Sequence, residues 1–262
     1  MNALETPDPL ESTSNTDPPR PIQSTPAVRD VALTADFVLP RREVMVVHGA
    51  LGTGRTTAVT AHLQSQQVPW HRIDLPPNQN AIKINTWLYR QIATKADLPL
   101  RDLQDDLVEA LAEEDRIVVV RHAERLTAEA AGQLQWLHAH PDTRFALILI
   151  GDQSVGPAVQ RDPLLVHAIS GTVHVKALTD RALLRVLQGL HPLFLNADPQ
   201  LLEAIDAQVC HGNLGRWTKL LDRVQWFSEH DPATPVGGHP HLDKRLAQAA
   251  IASLPKLPTR KT

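Results

Sequence analysis

Residues 43–48 (EVMVVH) form a short, nearly unbroken apolar run, the pattern of a strand buried on both faces of a parallel sheet. Similar runs recur at 70–75 (WHRIDL), 116–120 (RIVVV) and 145–150 (FALILI), with a shorter one at 172–175. The segments between them have helical periodicity: 56–67, 80–95, 101–113 and 127–138, the last opening on Thr127 as its cap. Strand alternating with helix predicts a parallel sheet with helices on both faces. After Leu178 the pattern changes. Residues 179–190, 199–210 and 213–229 are helical with no strand between them, and Trp217, Leu220, Leu221 and Val224 form one packing stripe. The expected architecture is an α/β core over 29–178 followed by a small α-helical lid over 179–230.

The ends read differently. Residues 1–28 are rich in Pro, Ser, Thr and acids and hold no aromatic residue, so burial cannot offset their ordering entropy. A disordered leader is expected there. Residues 231–240 read as a Pro/Gly linker, 241–253 as a final helix, and 256–261 as a basic tail within a 231–262 extension.

Composition adds limits rather than identity. An apolar share of 42% suffices for a proper core. The net charge of −3 gives no global steering toward nucleic acid, so any DNA association is expected to be weak. A single cysteine, Cys210, excludes an internal disulfide framework and fits the cytoplasm. No apolar run approaches the roughly 20 residues that span a bilayer, and the N-terminus has no signal-peptide pattern. A cytoplasmic chain with no membrane partner is expected.

The chemistry begins directly after the first strand. Gly49-Ala50-Leu51-Gly52-Thr53-Gly54-Arg55-Thr56 matches G-x-x-x-x-G-K-[ST] at every fixed position except lysine. Such glycines let successive backbone N–H groups turn around phosphate oxygens, and the following helix adds the positive end of its dipole. Thr56 would offer its hydroxyl to Mg²⁺, and Thr57 lies in the same helical turn. The plain alternative is an ordinary Gly/Thr-rich strand-to-helix turn. Arg55 keeps the lysine's charge but spreads it over a planar fork. That suits phosphate contact better than the point position between β- and γ-phosphates that hydrolysis needs.

With the P-loop, RIVVVRHAERL (116–126), FALILIGDQ (145–153) and HGNLGRWTKLLDR (211–223) on the page, the chain resembles the AAA+ ATPases. Within them it is similar to the branch of origin-recognition, transposon target-selection and secretion-type ATPases. The resemblance spans roughly residues 31–229 and implies a P-loop NTPase sheet with a helical lid. It implies ATP or ADP as ligand, with Mg²⁺. In that family the third strand ends in Asp-Glu, the first holding Mg²⁺ and the second polarising water. Here Arg121 and His122 stand in those places, so the resemblance implies weakened Mg²⁺ binding and weakened or lost hydrolysis. Glu124, just beyond, is a candidate base from a shifted backbone. Asp152, after the fourth strand, falls where the family carries a sensor and equally reads as a turn residue after Gly151. Arg216, shortly after Gly212-Asn213, resembles the lid's second sensor with one extra residue in the spacing. The family's inter-subunit arginine has no counterpart, its place holding His167-Ala168; Arg161 lies too early.

Other chemistries fare worse. Thirteen histidines include the pairs His138/His140 and His239/His241, which no cysteine or carboxylate cluster completes into a metal site. No G-x-S-x-G turn supports a hydrolase triad. The five tryptophans are scattered along the chain, four of them in helical segments, and read as packing residues. The expected function is thus an ATP-binding regulator or assembly subunit with reduced hydrolysis, working with a competent partner ATPase or a DNA-transaction protein. Two alternatives stand: an interaction module that binds no nucleotide, and an active ATPase using Glu124 and Asp152.

Overall fold

The computed structural model describes residues 24–92, 103–230 and 242–254. Among them, the five predicted strands build one parallel sheet. They are β1 (Val44–Gly49), β2 (Trp70–Asp74), β3 (Arg116–Arg121), β4 (Phe145–Gly151) and β5 (Ile169–Val175), in the spatial order β2-β3-β4-β1-β5. Successive strand residues face opposite sides, so each apolar run feeds two cores. Met45, Val47, Val119, Ile148 and Ile150 meet α1 (Pro26–Val38) and α2 (Arg55–Gln64) on one face. Val44, Val46, Val118, Val120, Leu147 and Leu149 face the other way. They meet α3 (Ala81–Ile92), α4 (Leu103–Ala112), α5 (Ala128–Ala139), α6 (Val155–Val159) and α7 (Pro163–Ala168).

Three departures from the sequence expectation matter. Residues 26–28, placed in the leader by composition, are the first turn of α1, which Thr25 caps by accepting the Val28 N–H at 3.1 Å. Pro26 at the helix start presets φ, and Val31, Ala35 and Val38 bury the inner face. β5 begins at Ile169, three residues before the predicted start, because Thr34 and Val38 of α1 pack over Gly171 and cover this edge strand. The short helices α6 and α7 fill what reads as a loop, the second capped by Asp162. Predicted helix residues 93–95 and 101–102 lie outside the described residues, as do leader residues 1–23, the linker at 231–240 and the basic tail.

The sheet gives way at Leu178 to a separate helical layer. It comprises α8 (Asp180–Leu190), α9 (Pro192–Leu195), α10 (Pro199–Ile205), α11 (Leu214–His230) and α12 (Lys244–Ser253), gathered around one apolar cluster. The predicted helix 199–210 divides at Asp206, after which a wider π-type turn runs to Cys210. Asp206 explains the break. Its Oδ1 accepts the Gly212 N–H at 2.7 Å and the Trp217 Nε1–H at 2.9 Å, fastening the turn to the start of α11. Trp217 is fully buried and meets Phe194 edge-to-face at 5.4 Å. Cys210 sits in the same core, where burial and then Asp206 push its thiol up to about 12, so it is packing rather than chemistry. No helix among the described residues is long and apolar enough to cross a membrane.

Candidate functional site

β1 delivers the glycine loop at Gly49, and α2 receives it at Arg55. Gly54 caps α2 from the left-handed region at φ 93, a conformation that costs glycine least. Beyond it the first N–H groups of α2 have no acceptor within the helix and stand at the positive end of its dipole. Thr56 and Thr57 lie on this turn. Ala50 and Leu51 form the loop tip, with Leu51 exposed. Thr53 is buried, and its hydroxyl donates to the Ala50 carbonyl at 2.8 Å.

Arg55 reaches across the top of the sheet. Its Nη1 donates to the Gly151 carbonyl at the end of β4. Burial lowers its pKa, while Glu124 and Asp152 pull the other way, so the guanidinium sits partly desolvated between two acids. Glu124 arrives there through a backbone twist. His122 adopts the left-handed conformation at φ 59, and the following turn Ala123–Arg125 is anchored by buried Ala123 and Leu126. This swings the Glu124 carboxylate back toward β4, where Oε2 accepts the Asp152 N–H at 3.2 Å. Its Oε1 lies 3.3 Å from His122 Nδ1. Asp152 itself uses Oδ1 to accept the Ser154 N–H at 2.7 Å, the geometry of a turn residue.

The strand-end position of Arg121 is committed elsewhere. Parallel register sets Arg121 beside Asp74 of β2, and Arg121 Nε lies 3.2 Å from Asp74 Oδ1. Arg216 also turns away from the loop, with Nη1 donating to the Val209 carbonyl at 2.7 Å. Arg161 donates to the Leu126 carbonyl, and His167 lies in α7. Thus the structure gathers Arg55, Glu124 and Asp152 at one place beside Gly151 and leaves Arg121 and Arg216 outside it. Among the described residues, no group of three or more His, Cys, Asp or Glu could hold a metal ion.

Two features of the site escaped the sequence reading. His48, the last residue before Gly49, stacks face-to-face on His174 of β5 with ring centroids 4.7 Å apart. Burial first, then His174 and Arg55, hold His48 below the ordinary imidazole value. The strand register pairs these two residues, and neither run alone reveals the register. The second feature is the lid's grip on the loop: Asn213 Nδ2 donates to the Leu51 carbonyl at 2.6 Å, and the Gly215 N–H donates to the Gly52 carbonyl at 2.9 Å. The sequence reading treats Gly212-Asn213 only as the approach to Arg216; the capping chemistry of Asn213 ahead of the Trp217 stripe is a signal that could have drawn attention to this end of α11.

Comparison with known proteins agrees with this geometry. A family model described as an AAA domain matches residues 40–157. The fold is similar to the ORC2 protein of Aeropyrum pernix in its ADPNP–ADP complexes, with a TM-score of 0.66 and 17% identity. That match covers 91% of this chain and 69% of the other. It is also similar to the ORC1 protein of Aeropyrum pernix in complex with DNA, with a TM-score of 0.57 and 14% identity. There the coverage is 86% of this chain and 64% of the other. The Thermotoga maritima RuvB Holliday junction branch migration motor matches with a TM-score of 0.59 and 13% identity, over 86% of this chain and 67% of that one. No curated protein sequence matches.

Proposed function

We propose that this P-loop AAA+ chain, with origin-recognition-like structural relatives, binds ATP or ADP and hydrolyses it weakly or not at all. It would act as a nucleotide-responsive regulator or assembly subunit. The observation that carries the reading is a division within one site. The phosphate-binding half is whole: a glycine loop, a left-handed Gly54 and the open N-terminus of α2. The hydrolytic half is rebuilt: Arg121 is paired with Asp74, and His122 is paired with Glu124 in place of a strand-end acid pair.

Those donors fit a nucleotide better than a tightly held divalent cation. Backbone N–H groups, the helix dipole and the Arg55 charge all attract phosphate without metal. When bound, Mg²⁺ would neutralise phosphate charge, with the Thr56 hydroxyl as its ligand from this chain. Neither strand-end residue, Arg121 or His122, offers an anionic ligand beside it. Binding should therefore depend only weakly on Mg²⁺. The place where relatives carry an inter-subunit arginine holds His167-Ala168 on α7, which favours a mixed complex in which a competent partner ATPase supplies that arginine. A DNA-transaction role follows only from the company of relatives such as the ORC1 protein solved with DNA. With a net charge of −3, direct DNA contact would be weak and salt-sensitive. The lone cysteine, buried Cys210, fits a cytoplasmic setting.

Titration with a fluorescent ATP analogue, with Mg²⁺ and with EDTA, tests the reading. The expected outcome is saturable binding whose Kd changes by no more than about threefold between the two, under 1 kcal/mol. No binding at millimolar nucleotide would instead favour the non-binding interaction module.

A further inference from the structure

The outer face of α11 carries a pattern that the glycine-loop site does not use. At roughly 100° per residue, Lys219, Arg223, Trp226 and His230 fall within an arc of about 60° and form one straight stripe, about 16 Å long. All four are exposed, while Trp217, Leu221 and Val224 bury the opposite face in the lid core. The two acids of the helix, Asp222 and Glu229, lie together on one flank, off the stripe. Lys219 and Arg223 pair with no carboxylate among the described residues. Trp226 departs from the packing role expected of it, because half of its surface is exposed. Its indole is nonetheless held. His230 stacks on it at 4.4 Å with the ring planes 18° apart, and His230 Nδ1 donates to the Trp226 carbonyl at 2.8 Å. Phe227 meets the indole edge-to-face at 5.0 Å. An aromatic surface fixed in this way loses little conformational freedom when a ligand covers it.

We infer that this stripe is a binding site for single-stranded nucleic acid: Lys219 and Arg223 take backbone phosphates, and a base stacks on the Trp226–His230 pair. Charge selects a polyanion, since two unpaired cations are concentrated on one helix face of a chain whose net charge is −3. Stacking selects bases over acidic side chains, because every base has a face that extends an aromatic stack. It also selects a single strand over a duplex, where those faces are already covered by neighbouring base pairs. The site rests on α11 alone and not on the nucleotide-binding reading. With only two cations and one platform, its affinity is modest and falls with salt.

Fluorescence anisotropy of a labelled oligothymidylate of about 20 nucleotides tests the site, with the full-length chain at low salt and no ATP present. Binding is expected with a Kd on the order of 10 μM. Trp226→Ala should weaken it about tenfold, while Trp226→Phe, which keeps an aromatic face, should cost no more than about threefold. Lys219→Gln combined with Arg223→Gln should reduce the slope of log Kd against log salt by about 1.4, two phosphates at about 0.7 each on a single strand. Both charges stand on the exposed face, so this pair reports on binding even if the aromatic variants disturb the end of α11. No binding by the natural chain would overturn the site. Binding unchanged in Trp226→Ala and in the charge pair would also overturn it and move the contact to the basic tail at 256–261. A matched duplex bound as tightly as the oligothymidylate, with Trp226→Ala without effect, would mean phosphate attraction without stacking and would overturn the single-strand assignment.

Discussion

Arg55 stands at the lysine position of the glycine-loop pattern and Arg121 ends β3, yet the two guanidiniums do opposite things. Arg55 stays in the site, tied to Gly151 between Glu124 and Asp152. Arg121 is withdrawn to Asp74 on the neighbouring strand. Hydrolysis by the natural chain should therefore sit near background in a phosphate-release assay. Replacing Arg55→Lys, Arg121→Asp and His122→Glu together should raise it if the scaffold is competent. Register adds a condition: an aspartate at 121 would face Asp74, and like charges on paired residues repel. Adding Asp74→Asn should then give more turnover than the triple change alone, and equal rates would argue against this account. Robust turnover by the natural chain that vanishes in Glu124→Gln would favour the unconventional active site, since Glu124 already reaches the Asp152 N–H. The identities of these residues were legible in the motif frame, which is local. Their partners were not. Asp74 meets Arg121 only through strand register, and the Gly151 and Leu51 carbonyls belong to the backbone, where sequence carries no label.

At the scale of elements, the apolar runs of β1, β3 and β4 were readable because strands buried on both faces leave little room for polar residues. Edge strand β5 has buried residues only near its end and so lost its first three residues in the reading. Helix α1 was hidden by the leader-like composition around it, although Thr25-Pro26 is a start signal. The division of 199–210 was not legible either, because Asp206 breaks the helix through bonds to Gly212 and Trp217, residues beyond the segment. That carboxylate gives the lid its sharpest test. Asp206→Ala leaves the Gly212 N–H and the Trp217 indole N–H without their acceptor, at a cost of about 2–3 kcal/mol. Trp217→Phe removes one of the two bonds while largely filling the pocket, costing about 1–2 kcal/mol. Urea denaturation followed by circular dichroism should rank Asp206→Ala as the more damaging of the two. The reverse order would mean that indole packing on Phe194, rather than the shared carboxylate, organises the turn.

Across the whole molecule, three partly buried imidazoles couple stability to pH from separate elements of the α/β core. His48 lies above β1 against His174 and Arg55; His71 lies on β2 near Arg116 and Glu114; His138 on α5 packs edge-to-face on Phe145 and bonds the Arg42 carbonyl at 2.8 Å. Burial is the largest cause in each, and each is held below the ordinary value of 6.5. The sign follows from proton counting. Below about pH 6.5 the unfolded chain takes up protons that the folded chain refuses, so the unfolded state gains and stability falls. The contribution is fully present above 6.5 and is lost as pH drops toward the lowered folded values. Asp115, held low by the hydrogen bonds of Arg144 and Arg42 against a burial penalty, would add its loss only in the more acidic carboxylate range. Thermal unfolding should thus show a Tm that is level from pH 7.5 to about 6.5 and declines from there to pH 5. His138→Gln, which keeps a donor for Arg42 but cannot titrate, should flatten part of that slope. A Tm constant across this range, or a slope unchanged by His138→Gln, would show that these rings accept protons as readily in the folded protein as in the unfolded chain.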